Sequence, residues 1–325
     1  MLSRVADNLY WMSRYLERAE NTARLIDVQL NQMLEQGGGD ADRRWQRLLR
    51  GLRLPLDART GAYDITHWLT FDADNPASIV SSIAAARENA RQVREQISSE
   101  MWEQLNFLYL RIKKTRMERI WSAEPHTFFN RVKEGVYLFH GLSDATLSQS
   151  EGWHFIRVGR FLERAMATAA LLDAHFAVFP VPEDEYEREP LDYLGWVSLL
   201  RSCASFEVYC KVHTAVIRPA RVVEYLLLNA EAPRSVRFGC AMMQSGLQSI
   251  AKATNTRNAG RLERLIGRLR ASLDYYQIDE ILSDNMHEYL EGIQQQCALI
   301  HSGLYQVYLA YPIEVIFAAR GAAQA

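Results

Sequence analysis

Residues 15–27 read YLERAENTARLID and residues 161–173 read FLERAMATAALLD, a gapless self-match of the chain at an offset of 146. The apolar positions Leu9, Met12, Leu16, Ala19, Ala23, Ile26, Leu30 and Met33 recur at steps of three and four. That is the buried seam of a long amphipathic helix. Phe155, Val158, Leu162, Ala165, Ala169, Leu172 and Phe176 carry the same seam into the second copy. Any two amphipathic helices share such a seam, so the identities on the polar flank are the more telling. Arg14 answers to Arg160, Glu17 to Glu163, Arg18 to Arg164, Thr22 to Thr168 and Asp27 to Asp173.

Arginines four residues apart stack on one helix face and repel, so acidic partners are expected against them. The alanines of the seam let helix backbones approach closely. The two copies should therefore face each other about a pseudo-two-fold axis, with Glu17 near Arg164 and Glu163 near Arg18. Such a layer has two readings. It is a structural ion-pair network, or it is a pocket in which Arg14, Arg18, Arg160 and Arg164 hold a carboxylate or phosphate through their planar guanidinium forks. Arg87 and Arg91, in the looser echo Arg87-Glu-Asn-Ala-Arg91, and Arg234, beside Pro233 at a helix start, join the anion-binding candidates. Glu17 and Glu163 are the candidate general bases if the layer is catalytic.

Outward from these helices the chain stays helical. Ser3 or Asp7 is placed to cap the first helix and Gly37 to Asp40 to end it. A second long helix is read from Pro76 to about Phe107, another from Phe128 to Leu142, and the first half as four or five helices. Residues 179–190, FPVPEDEYEREP, read as a solvated loop. Residues 191–212, the stretch near 226, and 233–248, 261–273 and 281–309 favour helix, and no alternating strand pattern interrupts them. The expectation is an all-α fold, a large helical bundle over residues 1–325 as a single domain, with pseudo-repeat halves of about 1–145 and 146–325.

Across its 325 residues, 37 basic and 39 acidic side chains give a formal charge of −2, so no global field draws the chain to nucleic acid or an anionic membrane. Basic clusters at Arg111 to Arg119 and from Arg257 to Arg270 read first as solvated faces, with an acidic partner or RNA as the alternative. Cys203, Cys210, Cys240 and Cys297 form no CxxC pair and suit small buried side chains in a reducing compartment. With no signal peptide or membrane span, the expected location is cytoplasmic. Glu151-x-x-His154 has the spacing of di-iron bundles but lacks a second copy, and a polar helix N-terminus accounts for it better. The chain carries no phosphate-cradling or nucleophile motif, so no cofactor of its own is expected.

These residues, with Glu100-x-Trp-Glu-x-Leu-Asn106, Gly152-Trp-His-Phe155, Trp196-x-x-Leu-Leu-Arg-Ser202 and Pro233-Arg-Ser-Val236, resemble the bacterial alpha-E family, all-helical proteins named for an ER motif. Members of that family are encoded beside, and sometimes fused to, circularly permuted ATP-grasp proteins, often with transglutaminase-like proteins and a proteasome-related peptidase. The resemblance implies a role in ATP-dependent peptide or amide synthesis, with ATP and Mg held by a partner ligase. The circularly permuted ATP-grasp protein is the implied partner. A homodimer is the alternative, a membrane is not expected, and nucleic acid is not expected, although tRNA is left open. Met166 and Ala167 replace Glu20 and Asn21 in the second copy, a departure that bears on any role needing both.

Overall fold

The computed structural model describes residues 1–36, 41–56, 61–122, 125–179, 181, 186, 192–256, 259–283 and 285–310. Among them there are fifteen α-helices and no strand. In order these are α1 (Ser3–Gln36), α2 (Ala41–Gly51), α3 (Ala62–Thr70), α4 (Ile79–Gln92), α5 (Ser99–Lys113), α6 (Met117–Ser122), α7 (Pro125–Thr146) and α8 (Glu151–Val178). They continue as α9 (Tyr193–Ser202), α10 (Phe206–His213), α11 (Pro219–Leu228), α12 (Val236–Thr254), α13 (Gly260–Tyr275), α14 (Ile278–Ser283) and α15 (Met286–Leu304). Gly37 to Asp40 and most of the 179–190 stretch lie outside the described residues.

Two expectations need correction. The long helix read from Pro76 is two helices, because Val93 leaves the helical region (φ −130°, ψ 33°) and Ile97 is extended. Ser98 then caps α5 by accepting from the Met101 amide at 3.2 Å, which satisfies a donor that the helix start would otherwise orphan. Seven helices, not four or five, therefore precede Thr146. The 281–309 stretch also divides, with Asn285 capping α15 through the amides of His287 and Glu288.

The 34-residue α1 and the 28-residue α8 form the axis of the bundle. They pack against each other, with α4 and α7 along α1, and α12, α15 and α2 along α8. Most of the buried apolar residues join in one core cluster that draws on both halves of the chain. Arg53 and Ala204, after α2 and α9, both stand in the left-handed region (φ 57° and 48°) and close those helices in the same way.

At Gly159 the backbones of α1 and α8 lie against each other. A methyl group there would stand 2.5 Å from the Tyr10 carbonyl oxygen, and the Ser13 hydroxyl donates to the Ile156 carbonyl at 2.5 Å one turn away. Backbone against backbone has no side chain that can yield. Gly159→Ala should therefore cost about 1–3 kcal/mol, read as a lower denaturant midpoint with unchanged helical circular dichroism.

Candidate functional site: a buried glutamate–arginine layer

Glu17 and Glu163 sit at the α1–α8 interface, each held by the other helix. Arg164 grips Glu17 bidentately, Nε to Oε1 at 2.6 Å and Nη2 to Oε2 at 3.0 Å. Arg14 and Arg18 converge on Glu163, with Nε contacts of 2.7 and 2.6 Å. Arg164 and Arg18 thus stand against the partners that the repeat implies. The arrangement follows from the three- and four-residue spacing, which carries both members of each ER pair around the flank of a seam whose alanines let the helices close.

The N-terminal end of α12 adds to the layer. Ser235 caps α12 by accepting from the Phe238 amide at 3.0 Å, which places the preceding Arg234 inside the bundle. Its guanidinium lies 3.5 Å from Glu17 and donates to Glu20 at 2.5 Å. Glu20 also accepts from Tyr137 at 2.9 Å and pairs with Arg24. Arg14 donates onward to the Tyr10 hydroxyl at 3.2 Å and lies over the Trp11 ring at 4.5 Å. His140 stands 3.5 Å from Glu17, and His301 takes the Tyr10 hydroxyl at 2.9 Å.

A cavity of about 400 Å³ opens on this layer, lined by Glu17, Arg18, Arg53, Pro76, Glu163 and Arg234 among others. Arg53 enters from the end of α2 in its left-handed conformation, which costs a non-glycine residue on the order of 1–2 kcal/mol. Among the described residues, seven guanidiniums stand around the layer, those of Arg14, Arg18, Arg24, Arg53, Arg160, Arg164 and Arg234. Opposite them are three buried carboxylates, Glu17, Glu20 and Glu163, and one exposed one, Asp144. Among the described residues the surplus is three positive charges.

Electrostatics follow from this surplus. Burial opposes ionisation of Glu17, yet Arg164 and Arg234 outweigh it and hold the carboxyl well below its ordinary value. Glu163 is likewise desolvated, and Arg14 and Arg18 bring it down to about 2. Both are firmly ionised and weak proton acceptors. Burial, with Arg234 adding to it, pushes Arg24 down to about 9, and burial with Arg164 lowers Arg160. Crowded cations of this kind favour an added anion.

The remaining candidates lie elsewhere. Arg87 donates to Asn106 at 2.7 Å and stacks over Tyr109, while Arg91 makes an exposed pair with Glu88 on the same helix. Arg160 is near the layer but pairs with neither Glu17 nor Glu163; its nearest acid is Asp144 at 3.7 Å. Residues the sequence reading passed over are Glu20 as an acceptor, His140, Tyr10, His301 and Arg53. The chain order of helices α7, α15 and α2 gives no hint that they meet α1. Asp27 and Asp173, equivalent in the self-match, bind His126 and His287 at 2.6 Å each, at the starts of α7 and α15.

The buried thiols of Cys203 and Cys297 are pushed up by desolvation to about 11 and 12, unsuited to nucleophilic work. Among the described residues no three His, Cys, Asp or Glu side chains converge as a metal site, and no described helix is long and apolar enough to cross a membrane.

A helical bundle organised around paired Glu-Arg helices defines an all-helical ER-motif protein. The chain belongs to the alpha-E family, a predicted alpha-helical domain with a conserved ER motif, whose family model matches residues 1–309. It is 26% identical over 336 aligned positions to an uncharacterized protein of Mycobacterium bovis and, to the same degree, to uncharacterized proteins of two Mycobacterium tuberculosis strains. Each alignment takes in 95% of this chain and 37% of the relative, so the chain spans little more than a third of the length of those proteins. No solved structure matches it.

Proposed function

We propose that this protein is the helical partner of an ATP-grasp-type amide or peptide ligase, and that its Glu/Arg layer holds a carboxylate- or phosphate-bearing group of the ligase's substrate. The observation that carries the reading is the cation surplus of the layer, where, among the described residues, arginines outnumber carboxylates beside an open cavity. A purely structural network would balance its charges, because each unpaired buried cation weakens the fold. Arg18 and Arg53 are the groups freest to turn toward a ligand, being more exposed than Arg14 or Arg164. Family membership and the longer chains of the relatives agree with a unit that works alongside another. The pseudo-two-fold relation of the halves belongs to the same proposal, supported by the matching contacts of α1 with α4 and α7 and of α8 with α12 and α15.

A second reading makes the protein an acyl or aminoacyl transferase with Glu17 or Glu163 as general base. Their ionised, doubly gripped state favours the binding role, since a base would first have to shed an arginine. Co-purification with a circularly permuted ATP-grasp protein is the direct test of the partner reading. Association at micromolar concentrations is expected, and its absence would remove the ligase from the proposal. Loss of pathway product in a folded Arg53→Ala variant would then place the layer in that pathway.

A further inference from the structure

Behind the Arg164–Glu17 pair lies a second cavity of about 430 Å³ that the first does not include. Its walls carry His140, Arg160, Arg164 and Arg234, with Tyr137 and Tyr225 as aromatic surfaces. His140 is buried, and among the described residues neither ring nitrogen has a hydrogen-bond partner; the nearest acid, Glu17, is 3.5 Å away. Arg160 Nε is also buried and unpartnered among the described residues, and the acid beside its guanidinium is the exposed Asp144 of the cavity wall, at 3.7 Å. Leaving such donors unmet is costly, and what enters the cavity is the remaining source of partners. Arg164 and Arg234 are committed to Glu17 and Glu20 on one side but still present cationic edges to this space.

We infer that this cavity is a second anion site, distinct from the one facing Arg18 and Arg53, and that it takes a carboxylate or phosphate borne on an aromatic or aliphatic body. Arg160 supplies the uncommitted fork that grips the anion, the His140 ring donates a hydrogen bond through its protonated nitrogen, and the tyrosine faces cover the body. Burial and the neighbouring Arg160 hold His140 down to about 4, so its imidazole is neutral at physiological pH, with one donor nitrogen to offer. The layer then serves two anionic groups, one on each side of the Arg164–Glu17 pair.

Isothermal titration of the full chain with phenyl phosphate and, separately, with benzoate tests this. Two equivalents are expected for at least one probe, and which probe gives two tells phosphate from carboxylate. Arg160→Met should weaken one equivalent by about tenfold or more and leave the other, whereas Arg53→Met should do the reverse. A single equivalent that Arg160→Met leaves untouched, or no binding of either probe at millimolar concentration, overturns the inference. Loss of the Arg53-dependent equivalent alone would count against the first site and leave this one standing. Should Arg160→Met fail to fold, the His140 ring resonances of the unaltered protein decide the matter: a shift on saturation with either probe is expected, and none with both overturns the inference.

Discussion

Glu17→Ala should destabilise the protein by about 3–5 kcal/mol, the usual cost of removing one partner from a buried ionic network. Arg164, Arg234 and His140 all face this one carboxylate, and it is 1% exposed. Its removal leaves the buried Arg164 without its carboxylate and Arg234 with Glu20 alone, in a layer already rich in positive charge. Glu17→Gln should cost nearly as much, because the loss lies in charge and not in volume. Glu88→Ala, which breaks only the exposed pair with Arg91, should leave the urea midpoint unmoved. Equal behaviour of the Glu17 and Glu88 variants would mean that the layer is dispensable to the fold.

Acid should unfold the protein in two overlapping stages. His140 and His301 are lowered to about 4, by burial first and by Arg160 and Arg14 next, against about 6.5 in the unfolded chain. Below pH 6.5 the unfolded state takes up protons that the native state refuses, so stability falls from there to about pH 4 and that contribution then levels off. Glu163, at about 2 in the fold against 4.5 unfolded, contributes stability that is full above pH 4.5 and lost as pH falls toward 2; Glu17 acts in the same direction. Each titrating group adds a slope of at most about 1.4 kcal/mol per pH unit. Urea midpoints should hold from pH 7.5 to about 6.5 and decline from there to pH 3, and His140→Asn should flatten the stage above pH 4. A midpoint that holds constant down to pH 4 would contradict the buried neutral imidazoles.

How far the site could be read from the chain depends on where its residues lie. The self-match at offset 146 gave both members of each cross pair, because their helix, spacing and seam all sit within one contiguous stretch. Arg53 lies beyond such reading: it reaches the cavity from the left-handed position after α2, and the nearby glycine, Gly51, stands two residues earlier, inside the helix. His140 and His301 come from α7 and α15, and periodicity within a helix says nothing about which neighbours it meets. Arg87 and Arg91 share only a short likeness with the ER stretch: Arg87 donates to Asn106 of α5, and Arg91 pairs with Glu88 on its own helix. The break at Val93 was masked by an apolar rhythm that runs on into α5, so Ser98 looked like an ordinary helix residue instead of a cap.

The claim on which the rest depends is that the surplus guanidiniums of the layer hold an anion. A crystal structure grown with phenyl phosphate in excess reads this directly. The account predicts density for the anion in the cavity between α1 and α8, within hydrogen-bond reach of Arg18, Arg53 and Arg234, with Glu17 and Glu163 still gripped as described. A cavity without the anion at saturating concentration, with Arg53 turned to solvent, would contradict it.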